Sequence, residues 1–571
     1  MKQWIKRGRE KLLKDVFLRN IGASSLDEIN GWFKKSYSNE YHIDKLDEAA
    51  ALCMKFKDLH VTIIGDYDVD GTTATSTLLL GLKSLGFKNL SYRIPKRFSE
   101  GFGINASIID EIDSGLIITC DNGIAQLDAI KKAKDKGLTV IILDHHEPLV
   151  VDGNVVYPEA DIIIDPNAIK GSADFNGYCG CGLCYKFIKA LGAPKQVLDK
   201  ALSMAALGTV ADVMELREEN YVFVKNGFKA LLNPNTTTNG IYALVCAFEL
   251  SRHITAKDIG FKLGPALNAC SRMNDEGAKN AVELLTFEGP FPMAIQMAES
   301  IINLNDERKA LKKIGMNEAH RIIEETCLYG DCPIVLKVDV PEGIIGIIAG
   351  NLCEEYHVPA IVVCRTEEGI LKGSARSCGN YNMKEALDKV SGLLIRHGGH
   401  AGAAGLSLLP ENLDAFRSEI QKTAEGFINN DSSDDVIYYD LEIKAQDIPD
   451  VIKELDKYEP FGHGNPMPIF KVDNYSVNPK NGNYINKVTS DYDITKLFYK
   501  KDVVAIGFDM SSRFNNVVPK NISLIGSLSL KCFNGTVTNQ CEFIDFKTGD
   551  TKMVTTPLAE KLKIMALSTT A

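Results

Sequence analysis

Eight side chains in four short segments have the types and spacing to do chemistry together. GDYDVDG (Gly65–Gly71) carries Asp66, Asp68 and Asp70; CDNG (Cys120–Gly123) carries Asp121. LDHH (Leu143–His146) carries Asp144, His145 and His146, and GTVADVMEL adds Asp212. Carboxylates brought to about 4 Å from one another repel by roughly 4 kcal/mol per pair at a near-surface dielectric. Divalent cations relieve that repulsion, and oxygen ligands with one or two imidazoles suit Mg²⁺ or Mn²⁺. Asp-Gly and Asn-Gly pairs also mark ordinary turns. A turn, however, needs neither three carboxylates alternating across one motif nor two histidines directly after an aspartate.

The elements that must position these groups are readable as well. Each motif follows an apolar, β-branched run: Val61–Ile64, Leu116–Thr119 and Thr139–Ile142. Helical stretches alternate with them at Thr72–Leu85, Ala106–Ile112 and Ile124–Lys136, which predicts an α/β fold built on a doubly wound parallel sheet. In such a sheet the loops at the carboxyl ends of the strands share one crevice. The helix expected at Thr72 would also aim backbone N–H groups into it, which favours an anion such as phosphate.

The set resembles the DHH phosphoesterase superfamily, for which LDHH is the naming motif, and within it the RecJ-type single-strand-specific exonucleases. IPKRFSEGFGIN (Ile94–Asn105) resembles the segment that brings an arginine to the substrate, and GPALNACSRMND (Gly264–Asp275) the Asn/Arg motif. LNDERK (Leu304–Lys309) resembles the head of the connecting helix. EGIIGIIAG (Glu342–Gly350), GSARS (Gly373–Ser377) and GGHAGAAG (Gly398–Gly405) resemble the DHHA1-like second domain, and PFGHGNPMPIF (Pro460–Phe470) the lead-in to an oligonucleotide-binding (OB) barrel. The likeness runs from about residue 61 to about residue 545.

The resemblance implies roles. Two Mn²⁺ or Mg²⁺ ions, about 3.5–4 Å apart as in two-metal sites generally, would be held by Asp68, Asp70, Asp121, His145 and Asp212, with Asp66 a further metal residue and Asp121 shared. His146 would face the scissile phosphate, and Asp144 would orient an imidazole. Arg97, Asn268, Arg272 and Arg376 would handle phosphate charge, for which guanidinium is well shaped. Ser374, Ser377, Gly399 and His400 would complete a pocket for a 5′-terminal phosphate. The barrel would hold the strand by stacking on aromatics such as Tyr484, Tyr492, Phe498, Tyr499 and Phe533.

The chain departs from the family pattern in three places. Ile64 stands where some members have a histidine that approaches the metal. Val340–Pro341 replaces a common Trp-His, and Phe533 sits where the barrel often has tryptophan.

Composition bounds the rest. With 571 residues, 45% hydrophobic and 24% charged, the chain has the make-up of a soluble protein of roughly three or four domains. The expected divisions are a helical lead-in (1–50), a catalytic domain with a helical extension (51–293), a connecting helix (294–328, with Ala294–Thr326 its clearest stretch), a second α/β domain (329–430) and a barrel (436–571). The second domain would open on strands Ile334–Val338 and Ala360–Val363. NNDSSDD (Asn429–Asp435) is the linker candidate, and Asn521–Ser529 and Cys541–Phe546 read as barrel strands. Net charge is −11, yet residues 471–571 hold 13 Lys and Arg against 9 Asp and Glu, a local excess of four positive charges. Local field, more than the total, steers a polyanion.

No apolar run approaches the roughly 18 residues of a membrane span, and the charged N-terminus lacks the core of a secretion signal. Fourteen cysteines without a regular framework fit reduced thiols in a cytoplasm. Cys179, Cys181 and Cys184 have zinc-like spacing, but a structural site needs a second pair, and none follows nearby.

The expected function is a two-metal 5′→3′ exonuclease degrading single-stranded DNA to 5′-mononucleotides in repair or recombination. The expected partners are a strand with a 5′ end and, by resemblance, a single-strand-binding protein; the chain would be a monomer. The alternative is a DHH phosphodiesterase acting on short oligonucleotides or cyclic dinucleotides, which would need only the first two domains.

Overall fold

The computed structural model describes residues 2–151, 153–427, 436–478, 482–488, 493–514, 519–533 and 536–548, the side chains at 329, 484–488, 532, 533 and 536 excepted. The chain divides into two compact units. One comprises Lys35–Met214 with Glu218–Ser433; the other comprises Met1–Lys34, Glu215–Arg217 and Asp434–Ala571.

The first unit opens on a five-stranded sheet in the order Leu90–Arg93, Val61–Ile64, Leu116–Cys120, Thr139–Leu143, Ile162–Ile164. Every neighbouring pair is parallel. Val61, Ile63, Ile64, Ile117, Ile118, Ile141 and Ile142 are fully buried, as expected of strands covered on both faces. The order reverses between Val61–Ile64 and Leu116–Cys120, so a crevice opens beyond their carboxyl ends. Asp66 follows one of these strands and Asp121 the other.

The helix after the first motif spans Val69–Ser84, three residues earlier than the sequence pattern suggests. Asp68, not the Asp-Gly pair, is the N-cap: its side chain accepts from the Gly71 N–H at 3.0 Å. Asp70 and Gly71 therefore lie inside the first turn. Gly71 has a packing reason, since a Cβ there would stand 2.5 Å from the Asp66 carbonyl oxygen.

The helices Gly180–Ala190 and Lys195–Ala211 pack against Val69–Ser84. Helix Gly264–Met273 carries Asn268 and Arg272, and the connecting helix runs from Phe291 to Thr326. It leads into a second sheet, ordered Arg396–Gly399, Ala403–Leu408, Leu371–Arg376, Ala360–Arg365, Ile334–Lys337. Only its last two strands are parallel. Helix Glu342–Tyr356 lies against this sheet and buries Ile344, Ile345, Ile348 and Leu352.

In the second unit, seven strands form a sheet ordered Leu441–Lys444, Phe470–Ser476, Asn521–Phe533, Thr536–Thr548, Val503–Phe508, Asp493–Lys500, Tyr484–Val488. Among the described residues the first and last of these strands are not paired to each other, so the expected barrel is an open array. The N-terminal lead-in is not purely helical. Gln3–Lys6 is a strand that pairs in parallel with Val436–Tyr439. The linker candidate Asn429–Asp435 lies outside the described residues.

Candidate metal centre and phosphate cavity

The crevice gathers the donors from loops far apart in sequence. Asp121 begins its loop in the left-handed region, φ 63°, a conformation costing about 1–2 kcal/mol for a residue other than glycine or Asn/Asp. Its N–H bonds the Leu143 carbonyl at 2.9 Å, which ties the CDNG turn to the strand feeding LDHH. Asn122 is buried and braces the same turn by donating to the carbonyls of Ile64 (3.1 Å) and Cys120 (3.0 Å).

His145 Nε2 lies 3.0 Å from Asp121 Oδ1, 3.6 Å from Asp212 Oδ2 and 3.7 Å from Asp70 Oδ2. Donor atoms of Asp66, Asp68 and Asp121 fall within 4.8 Å of one another, as do those of Asp70, His145 and Asp212, and those of Asp121, His145 and His146. Asp121 and His145 each belong to two of these three groups.

Asp144 is turned into the protein. Its Oδ1 accepts from the His145 N–H (2.8 Å) and sits 2.8 Å from His146 Nδ1; its Oδ2 accepts from the Ile124 N–H (2.9 Å). That is the geometry of an orienting group. Asp70 is held from behind by the N–H groups of Gly180 (2.6 Å) and Cys181 (3.0 Å), the first turn of the Gly180–Ala190 helix. Cys179 caps that helix, its sulfur accepting from the Gly182 N–H at 3.3 Å. The cysteine trio thus sits at a helix start beneath the crevice.

Electrostatics mark the same cluster. Burial, then the charges of Asp70, Asp68, Asp66 and Asp212, holds the Asp121 carboxyl far above the usual carboxylate range. Asp212 is pushed up to about 8 by burial and by Asp70 and Asp68. Asp66 is raised by burial and Asp68, and its Oδ1 is buried without a hydrogen-bond partner. His146 is raised as well, to about 9, which keeps it protonated: burial disfavours its cation, but the bond to Asp144 and the surrounding carboxylates outweigh that. A donor set of carboxylate oxygens and imidazole nitrogens, mutually repelling and partly unsatisfied, fits hard divalent cations. Asp68, Asp70, Asp121, His145 and Asp212, with Asp66 adjoining, would hold them.

Beside this cluster, in the same unit, is a cavity of about 360 Å³ lined by Tyr67, Arg97, Arg272, Ser374, Arg376 and Gly399, among others. Arg376 donates to Ser374 Oγ (3.1 Å) and to the Ala375 carbonyl (2.8 Å). Gly346 leaves room for it: a Cβ there would lie 3.2 Å from Arg376 Nη2. Burial first, then Arg97, Arg308 and Arg376, lowers Arg272 to about 9. Guanidinium groups that repel one another in a cavity have the chemistry to suit a multivalent anion.

Three of the expected phosphate residues stand outside that lining: Asn268, Ser377 and His400. Ser377 Oγ donates to the Tyr381 carbonyl at 2.6 Å, which commits its hydroxyl to its own loop. Exposed His400 accepts from the Gly402 N–H at 3.2 Å in its own turn. Asn268 has a buried Oδ1 with no hydrogen-bond partner. Ile64 and Val340, where the family pattern differs, are both core residues.

Sequence reasoning missed Arg308, whose Nε donates to Asn305 Oδ1 at 3.0 Å and whose charge bears on Arg272. Its signal was inside LNDERK. It also missed Asp165. That residue's Oδ1 accepts from the N–H groups of Asn167 (3.1 Å) and Ala168 (2.9 Å), while its Oδ2 is buried and unpartnered. Asn167 in turn donates to the His145 carbonyl at 3.0 Å, so this turn braces the histidine loop. Of the barrel aromatics, Phe498 and Tyr499 are half-buried with Lys496 and Lys500 at 5.1 and 5.5 Å from their ring centroids. Tyr492 and the side chains of Tyr484 and Phe533 lie outside the described residues.

A parallel sheet that gathers DHH-motif donors at its switch point, followed by a second sheet with an arginine cavity, defines a DHH-family protein. The DHH family N-terminal domain matches residues 60–209, the DHHA1 domain 330–426 and the RecJ OB domain 439–545. Over 487 residues the chain is 34% identical to the single-stranded-DNA-specific exonuclease RecJ of Bacillus subtilis, covering 83% of this chain and 59% of that protein. With the Haemophilus influenzae protein of the same name it shares 30% over 433 residues, covering 72% and 74%. The structure of RecJ from Thermus thermophilus in complex with Mn²⁺ superposes with a TM-score of 0.70 at 25% identity, covering 89% of this chain and 72% of that one. The chain belongs to the RecJ family.

Proposed function

We propose that this protein is a two-metal exonuclease that degrades single-stranded DNA from its 5′ end to 5′-mononucleotides, in DNA repair or recombination. One observation carries the reading: the donor cluster and the arginine cavity adjoin, with Tyr67, between Asp66 and Asp68, forming part of the cavity wall. A terminal phosphate held by Arg97, Arg272 and Arg376 would leave the next phosphodiester at the donor cluster. That geometry removes one nucleotide at a time.

Divalent ions bound at the cluster would supply Lewis-acid stabilisation of an in-line phosphoryl displacement. The protein's own groups do the rest. Asp144 fixes the His146 ring through Nδ1, so His146 Nε2 can offer a proton to the departing oxygen. Asp70, held by two N–H groups, keeps its oxygens aimed at the crevice. Arg272 and Arg376 neutralise the terminal phosphate, and Phe498 and Tyr499 offer stacking surfaces for bases of the strand.

The relatives are named for single-stranded DNA, and the OB match over 439–545 supports a long strand over the alternative, a short or cyclic dinucleotide. The 13 described cysteines are all free thiols, and among the described residues no helix is long and apolar enough to cross a membrane. Both support a cytoplasmic place, and we take the working form to be a monomer that receives strands from a single-strand-binding protein.

The test is digestion of a long single strand with Mn²⁺, labelled at either end, with and without a 5′ phosphate. Early release of the 5′ label as a mononucleotide is expected. Early release of the 3′ label, or cleavage confined to dinucleotides, would overturn the proposal.

A further inference from the structure

Phe102 has no part in either subsite, yet it lies between them. It is 43% exposed at the tip of the FSEGFG loop. A single exposed phenylalanine needs no explanation, but this one is held in place. Its ring packs T-shaped on His146, centroids 5.2 Å apart, and on Tyr67 at 6.5 Å. The Arg97 guanidinium lies 4.6 Å from the centre of the Tyr67 ring. Arg97, Tyr67, Phe102 and His146 therefore form a continuous wall from the phosphate cavity to the donor cluster.

The loop bearing Phe102 is braced at both ends. Phe98 N–H donates to Asp275 Oδ1 at 2.7 Å, and Ile104 N–H to Asn122 Oδ1 at 3.1 Å. Gly101 and Gly103 flank the ring with φ of 82° and 72°, and a Cβ on Gly103 would stand 2.9 Å from Gln126 Nε2. An exposed aromatic ring on a braced loop loses little conformational freedom when a ligand settles on it.

We propose that Phe102 is the stacking platform for the nucleobase of the 5′-terminal nucleotide. The inference rests on the exonuclease reading above: with the terminal phosphate among the arginines and the scissile one beside His146, the intervening base passes this wall. Stacking on a phenyl ring tolerates any base, since every base presents a π face. Phe102 would thereby set the register that places the scissile phosphate, without reading sequence.

The experiment compares single-turnover release of the first nucleotide, with Mn²⁺, from 5′-phosphorylated oligonucleotides whose first residue is either intact or abasic. Wild type should lose about tenfold or more on the abasic strand, the scale of one stacked base. Phe102→Ala should lose a similar factor on intact DNA, and the two losses combined should not multiply. Phe102→Trp should keep most of the wild-type rate on intact DNA. Multiplying losses would overturn the proposal, because the ring would then be supporting His146 instead of a base; so would an unimpaired Phe102→Ala. Wild type that releases no nucleotide from intact DNA would sink the exonuclease reading itself, an outcome distinct from either of these.

Discussion

Asp121 meets His145 at 3.0 Å from a backbone turned to φ 63°. The conformation and the contact are one device, since the left-handed turn carries the carboxylate back over the sheet end toward the histidine loop. Asparagine tolerates the same conformation, whereas alanine does not. Asp121→Asn, which removes a buried carboxylate repelled by its neighbours, should be at least as stable as the metal-free wild type, and Asp121→Ala should be less stable than Asp121→Asn by roughly 1–2 kcal/mol. Both should lose strand cleavage by about a hundredfold or more, the scale of removing a group that stabilises developing charge. Denaturant titration and a nuclease assay on the same preparations separate the two effects. Equal stabilities would remove the backbone argument.

Gly180 offers a test of the metal reading that leaves every donor in place. A Cβ there would stand 2.6 Å from Asp121 Cβ and 2.9 Å from its Cα, and those atoms cannot swing aside as a side-chain tip would. Gly180→Ala should shift Asp121 and the Asp70 bond at once, lowering Mn²⁺ affinity by about ten- to a hundredfold, as loss of supporting contacts does at other metal sites. Calorimetric titration with Mn²⁺ reads this directly. An unchanged affinity would mean that Asp121 is not a ligand.

Much of this arrangement is legible in the sequence because its causes are local. Val61–Ile64 and Leu116–Cys120 are mostly apolar, β-branched runs followed at once by Asp-bearing turns, and their burial on both faces leaves no alternation to confuse them. The start of the next helix is misread by three residues. Asp-Gly at Asp70–Gly71 looks like a turn, but Gly71 is small to clear the Asp66 carbonyl, and Asp68 does the capping. Strand Gln3–Lys6 leaves no local trace, because its partner Val436–Tyr439 is remote in the chain. Asp165 hides in an Asp-Pro turn signal, and Arg308 in the periodicity of a long helix. Their roles arise only from what folds against them.

Asp165 carries a pH signature. Burial, with Asp144 adding to it, pushes this carboxyl up to about 8, against the bonds from Ala168 and Asn167. The folded state thus holds a proton that the unfolded chain releases near pH 4. Stability contributed by the protonated form is present below about pH 4 and is lost as pH rises toward 8. Asp165→Asn keeps an oxygen acceptor for the two N–H groups and never ionises. Its melting temperature should match wild type near pH 4 and exceed it by roughly 2 °C or more at pH 9, where about 1 kcal/mol moves a large domain that far. Parallel melting curves at the two pH values decide this, and a difference independent of pH would refute the assignment.

Arg272 sets stability against function. It is half-buried, and desolvation, then Arg97, Arg308 and Arg376, lower it to about 9; the bond it makes to the Gly343 carbonyl is long, 3.5 Å. An uncompensated buried cation costs several kcal/mol before relaxation and water entry, and well-packed apolar replacements of buried charges have raised stability by about 1–4 kcal/mol elsewhere. Arg272→Met, similar in length and free of charge, should stabilise the DNA-free protein by about 1 kcal/mol or more. The same change should weaken binding of a 5′-phosphorylated strand by about tenfold or more, the scale of a lost charge-assisted bond, while affecting a 5′-hydroxyl strand less. Denaturant midpoints and fluorescence-anisotropy titrations with both strands measure the two sides. A variant that is less stable and binds both strands equally would show that Arg272 holds the fold together and does not receive the terminal phosphate.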